Sequence, residues 1–437
     1  MKCLTTAVLL AASSLPLAAT ADITPQQLEA AAKAVDAKVI TWRRDLHEHP
    51  ELGNRETRTA AMVADHLRKL GFEVTTGIAK TGVAAILRGG KPGPTIALRA
   101  DMDALPVTEQ VDLPFRSRVT TDYNGQKVGV MHACGHDVHT SVLMGAAEAL
   151  AGMKKDLPGT ILFIFQPAEE GPPAGERGGA PLMLDEGLFD LAPPDAAFGL
   201  HVMSGLKTGE VGYRSGPFMA GSDFFKIVVT GKQTHGAKPW GGIDPIVVAS
   251  QIVMGLQTIV SRQTDIAALP AIITVGSIRG GIRHNIIPDT VEMLGTIRNF
   301  DPAVREDILM RVRRTAESIA AASGATAKVE LDMEPNPVTY NNPALTERVL
   351  PSLRRASPKV GVRSIPLVTG SEDFSFYGKR VPSVFWFVGV TPPDQNMATV
   401  AANHSPLFYV DEGSVPVALR SILTVAVDYL QGGAAKP

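Results

Sequence analysis

The run Ile161-Leu-Phe-Ile-Phe165 constrains the fold more than any other stretch of the chain. Every position is apolar, so a strand there needs a covering layer on each face, as in a parallel sheet flanked by helices. The surrounding patterns supply those layers. Strand-like runs at 72–76, 83–87, 95–98 and 196–200 alternate with helical periodicities. Thr24-Pro25 opens the first helix, with Leu28, Ala31, Val35, Val39 and Trp42 on one face and an end before Pro50. Two more helices are expected over 56–70 and 140–150. This order predicts a layered α/β domain.

The pattern changes near Phe218. A strand at 223–231, a helix at 245–259, strands at 271–278 and 290–298, a helix at 302–321 and a strand at 327–331 give the order β-α-β-β-α-β of a ferredoxin-like α+β unit. After Pro335 the α/β character returns, with a helix at 343–353, an apolar strand at 383–388 and a helix at 415–430. A chain of 437 residues exceeds one ordinary core. The predicted organisation is an α/β domain in two parts, 22–216 and 333–437, interrupted by an inserted unit at 217–332.

Residues 1–21 differ in kind. Lys2, an apolar run from Leu4 to Leu17 and Ala19-Thr20-Ala21 form the pattern of a secretory signal cut after Ala21, which predicts a secreted or periplasmic protein. No later stretch reads as long and charge-free enough to cross a membrane. Cleavage would remove Cys3 and leave Cys134 as the only thiol, which rules out an internal disulfide. A lone thiol in an oxidising compartment calls for burial or a metal. With 42 Lys and Arg against 44 Asp and Glu, and no long basic run, nucleic acid is excluded as a partner.

The thiol stands in His132-Ala-Cys-Gly-His-Asp137, where sulfur and imidazole two residues apart can reach one ion from a turn. Three other reactive spots, Asp101-Met-Asp103, Glu169-Glu170 and His201, lie past the ends of predicted strands. Ligand sites of open α/β sheets gather there. Thiol, imidazole and carboxylate together suit a transition metal rather than calcium or magnesium. Of two adjacent glutamates, one can bind metal while the other acts as a base, and Asp103 can orient a ligating imidazole.

Six stretches carry a resemblance: His47-Glu-His-Pro-Glu51, Arg99-Ala-Asp-Met-Asp-Ala-Leu-Pro106, the 132–137 motif, Gln166-Pro-Ala-Glu-Glu170, Gly370-Ser-Glu-Asp-Phe374 and His404-Ser-Pro406. In this order they resemble the aminoacylase, hippurate hydrolase and auxin-conjugate hydrolase group of dinuclear metallopeptidases, related to carboxypeptidase G. The resemblance implies two divalent ions, zinc or manganese first and cobalt or nickel next, held by Cys134, His136, Glu170, His201 and His404, with Cys134 shared. It makes Glu169 the general base and Asp103 the orienting acid. Asp101 stays outside the ligand set.

The insertion corresponds to the group's lid and dimerisation domain. There His235 would stabilise the oxyanion across a homodimer, or within a higher homo-oligomer, and Asn285 and Arg298 would contact the substrate carboxylate. Lys232-Gln-Thr departs from the glycines usual before that histidine. His47 and His49 read as the end of the first helix, and His132, His139 and His284 as supporting groups. The implied activity is hydrolysis of N-acyl-amino acids to a carboxylic acid and an amino acid. Two alternatives stand beside it: a carboxypeptidase or dipeptidase with the same site, and a non-catalytic periplasmic binder of amino-acid conjugates.

Overall fold

The computed structural model describes residues 22–331 and 335–432. The expected signal at 1–21 and the domain boundary at 332/333 fall outside them. The core of the fold is an eight-stranded sheet. Its central strands, Pro158–Gln166, Lys91–Asp101, Ala196–Lys207 and Ser383–Thr391, run parallel as neighbours in that order. Antiparallel Gly82–Arg88 and Glu73–Ile78 extend one side, and short Val211–Tyr213 and Val362–Ser364 the other.

The apolar run at 161–165 serves two cores. Ile161, Phe163 and Phe165 pack with the helices Pro25–Glu48, His136–Gly152 and Val415–Gln431, whereas Leu162 and Ile164 pack on the opposite face with Met183 and Tyr377. The two-residue period of a strand splits the run in this way. The first helix starts as its sequence predicts: Thr24 and Gln27 form a reciprocal capping box ahead of Pro25.

A second, four-stranded antiparallel sheet runs Ile272–Gly280, Thr290–Asn299, Gly221–Thr230, Thr326–Leu331. In chain order that is second, third, first, fourth, the ferredoxin-like arrangement. The helices Pro245–Thr258 and Pro302–Ala322 cover it, each capped by an aspartate, Asp244 or Asp301, ahead of its proline. This sheet has its own core around Phe225, Ile252 and Ile308.

Two expectations need correction. The strand expected at 196–200 runs on to Lys207, so His201 lies inside it, opposite Phe387, rather than beyond its end. The cause is its partner, which continues past Val388 to Thr391 and keeps the ladder closed. Two stretches after residue 21, Pro245–Gln263 and Glu412–Gln431, are also long and apolar enough to cross a membrane on length and composition. The second is two-thirds buried in the core (67%), and the first packs one face on the second sheet.

Candidate metal centre

Strand register sets the floor of the site. Asp101 is paired with Gln166, and Arg99 with Gly199, which puts Asp101, Gln166 and His201 level at the carboxyl end of the parallel strands. Three backbone turns bring further side chains over this floor. Gly135 holds φ 91°, and a Cβ there would stand 2.2 Å from Val202 Cγ2, so only glycine lets Cys134 and His136 approach the sheet. Ala168 (φ 51°) turns the chain into Glu169 and Glu170. His404 (φ 72°) is held in the left-handed region, with its N–H donating to Ala133 O at 2.8 Å.

Four of the side chains meet at Cys134 and Glu170. Cys134 Sγ lies 3.3 Å from His201 Nε2 and 3.2 Å from His404 Nε2, which is itself 3.0 Å from Glu170 Oε1. His136 Nε2 comes within 4.0 Å of the same Glu170 oxygen. The far ring nitrogens are tied down. His136 Nδ1 donates to Asp103 Oδ1 at 3.2 Å, and His201 Nδ1 to Val202 O at 2.7 Å, which leaves both Nε2 atoms facing the cluster. Asp103 uses its other oxygen to accept the N–H of Glu170 at 2.9 Å. One carboxylate thus fixes two of the donors.

The residues fit divalent metal. Donor atoms of Cys134, His136 and His201 lie within 4.8 Å of one another, as do those of Cys134, Glu170 and His404. The shared thiol joins two adjacent three-donor groups. His136 Nε2 is buried without a hydrogen-bond partner. Burial, with the carboxylates of Glu170 and Glu169, pushes the Cys134 thiol well above its ordinary range, so a thiolate there needs a cation beside it. Asp101, whose oxygens accept from Arg99 Nη1 at 2.6 Å and His139 Nδ1 at 2.6 Å, forms a further group of donors within 4.8 Å with His136 and His139.

Glu169 stands at the edge of the cluster. Its carboxyl is raised well above the usual range by burial and by Glu372, Glu170 and Asp373, against the pull of Arg99. Burial also lifts Glu372 to about 8 and Asp373 to about 6. Arg99 anchors this acidic wall, donating to Gln166, Asp101, Glu372 and Asp373. A cleft of about 290 Å³ opens beside Glu169 and Glu170.

The remaining residues singled out in the sequence lie apart. His235 is exposed on the short strand Thr234–His235, its Nδ1 accepting the N–H of Ala237 at 3.0 Å. Asn285 lies beside it, its backbone oxygen accepting Gly236 N–H at 2.8 Å. Arg298, half-buried on the second sheet, donates to Thr296 Oγ1 at 2.6 Å. None of the three joins the donor cluster within this chain. His139 accepts Val202 N–H and holds Asp101, whereas His132 is buried with both ring nitrogens unpaired and is pushed down to about 3 by burial.

Several supporting groups had no sequence signal. Buried Glu56 accepts the N–H of Ala168 at 2.8 Å and so fixes the turn before Glu169. His47 does end the first helix, but its ring is buried between Asp137 at 3.0 Å and Glu109 at 3.1 Å. Arg43 donates to the same Asp137 oxygen at 2.8 Å. Such partners are 62 to 112 residues apart in sequence, and no local pattern marks them.

A profile described as peptidase family M20/M25/M40 matches residues 97–427. Thermostable carboxypeptidase 1 of Saccharolobus solfataricus is 40% identical over 405 residues, covering 92% of this chain and 98% of that protein. N-acetyl-L-cysteine deacetylase of Bacillus subtilis is 40% identical over 381 residues, 87% of this chain and 85% of its own length. The crystal structure of Bacillus subtilis YXEP protein, a dinuclear metal-binding peptidase, superposes with a TM-score of 0.73 at 36% identity over 91% of this chain and 99% of that one.

Proposed function

The chain belongs to peptidase family M20/M25/M40, is a metal-dependent hydrolase of amide bonds, and within that family we propose that it cleaves N-acyl-amino acids to a carboxylic acid and an amino acid. The observation that carries the reading is the cluster around Cys134: imidazole nitrogens and a carboxylate gathered at one thiol, with a second glutamate beside them. Cys134, His136, Glu170, His201 and His404 would hold two divalent ions, zinc or manganese before cobalt or nickel. When bound, the ions supply charge that stabilises developing negative oxygen and lowers the pKa of water.

The protein's own groups do the rest. Glu169 takes the proton of the attacking water and returns it to the leaving nitrogen. Its raised pKa in the metal-free chain suits the second task, since the protonated form must persist until the amine departs. Asp103 keeps His136 and the Glu170 backbone in place. His235 would donate to the oxyanion from a second copy, and Asn285 and Arg298 would receive the substrate carboxylate. A homodimer through the second sheet is supported by its edge strand Ile272–Gly280, with Ile272 and Ile278 exposed, and by exposed Ile246, Val247 and Met254 on the adjoining helix.

A carboxypeptidase reading of the same site has support in the carboxypeptidase relative. An export signal over 1–21 belongs to this proposal as well. Hydrolysis of N-acetyl- and N-benzoyl-amino acids beside plain dipeptides, with and without chelator, tests it. We expect chelator-sensitive cleavage of the N-acyl substrates. Faster cleavage of dipeptides would favour the carboxypeptidase or dipeptidase reading, and no chelator-sensitive cleavage of either would reject the site.

A further inference from the structure

Where the two sheets join, a cavity of about 950 Å³ is walled by both parts of the molecule. Its apolar lining includes Leu184, Pro217, Phe300, Val338, Tyr340 and Phe376. Deep in it sits Asn299, 1% exposed, whose Oδ1 and Nδ2 both lack a hydrogen-bond partner. Buried amides are paired as a rule, and one that is not marks a place for a polar group to arrive.

Four cations and three carboxylates line the cavity. Asp185 is taken by Arg177 at 2.7 Å, Asp301 caps the helix Pro302–Ala322, and Glu306 meets Arg305. Lys379 and Arg380 are exposed, and no carboxylate among the described residues pairs with either. An apolar lining, an unpaired amide within and two cations without a carboxylate partner fit one ligand chemistry.

We infer that this cavity is a second ligand site, for a small carboxylate with an apolar body. Its volume lies in the range of small-molecule sites. None of Cys134, His136, Glu170, His201 and His404 lines it, although Arg177, Pro181 and Asn336 line both it and the cleft beside Glu169, so the two hollows adjoin. Asn299 also follows Arg298 on its strand, and successive side chains face opposite ways, so the cavity lies on the far side from the arginine proposed for the substrate carboxylate. A bound molecule touches both sheets' units at once and ties them together.

Calorimetric titration of octanoate and of 4-phenylbutyrate into the metal-loaded full chain, repeated after chelation, tests the site. We expect saturable binding that survives chelation, about tenfold weaker in a Lys379→Glu, Arg380→Glu double variant, with hydrolysis of a short N-acetyl-amino acid unchanged in that variant. Asn299→Leu should weaken binding while raising the thermal midpoint, because it removes an unpaired buried amide. Absence of saturable binding, loss of all binding on chelation, or undiminished affinity in either variant would overturn the inference. The titration reads binding and not turnover, so its outcome does not depend on which amide the enzyme cleaves.

Discussion

Two buried polar networks flank the start of the helix His136–Gly152, and they are opposites. On one side Arg43, His47, Asp137 and Glu109 satisfy one another: Asp137 Oδ2 receives both Arg43 and His47, and Glu109 takes the other histidine nitrogen. On the other side Cys134, His136, Glu170, His201 and His404 crowd metal-type donor atoms together, and His136 Nε2 has no partner. The first arrangement sets its charges against opposite ones without a guest, with Asp137 Oδ1 left unpaired. The second is unfavourable until a cation enters it. Burial alone therefore does not mark a functional site; burial with thiol, imidazole and carboxylate donors crowded together does.

The contrast predicts that variants on the two sides fail differently. Glu169→Gln should retain two ions and lose about a thousandfold or more in kcat, measured with metal content on the same sample; near-normal turnover at full metal occupancy would remove Glu169 as the base. Cys134→Ala should lower metal content from two ions per chain, while stability in chelator stays level or rises, since a buried thiol beside carboxylates is gone. A fall in metal-free stability would put Cys134 in the satisfied class. On the paired side, Asp137→Asn should cost about 3 to 5 kcal/mol in denaturant unfolding, because it removes the buried negative charge that Arg43 and His47 share. A neutral result would break the comparison.

The smallest effect is in pH. Burial opposes the charge on His47, but Asp137 and Glu109 outweigh it and hold its pKa above the ordinary value. A raised folded pKa contributes stability that is complete below about pH 6.5 and is lost as pH rises through the folded value. Asp137 is held below the carboxylate range against its own burial by Arg43 and His47, so its contribution is present above about pH 3.9 and fades as pH falls. The metal-free chain should be most stable between these limits. His47→Gln should flatten the decline on the alkaline side, and an unchanged profile would place that decline elsewhere.

Local signals in the chain were enough to read most of the fold. The apolar run at 161–165 specifies two covered faces, and the Asp-Pro pairs at 244–245 and 301–302 open their helices where the residues say. His201 was misread as lying beyond a strand because strand ends depend on the neighbouring strand, here Ser383–Thr391, and not on the segment itself. In the candidate site, the metal-type donors were legible as short motifs of unusual chemistry. Glu56, Arg43 and Glu109 were not: a solitary charged residue looks the same in sequence whether it meets water or a partner 60 residues away.

The central claim is that the unpaired donors around Cys134 hold two ions. Anomalous diffraction from crystals of the full chain grown with zinc tests it most directly. Two peaks, each about 2.3 Å from Cys134 Sγ, with His136 and His201 near one and Glu170 and His404 near the other, are the predicted result. No peak at Cys134, or density instead among Glu169, Glu372 and Asp373, whose carboxylate oxygens also lie within 4.8 Å of one another, would contradict it.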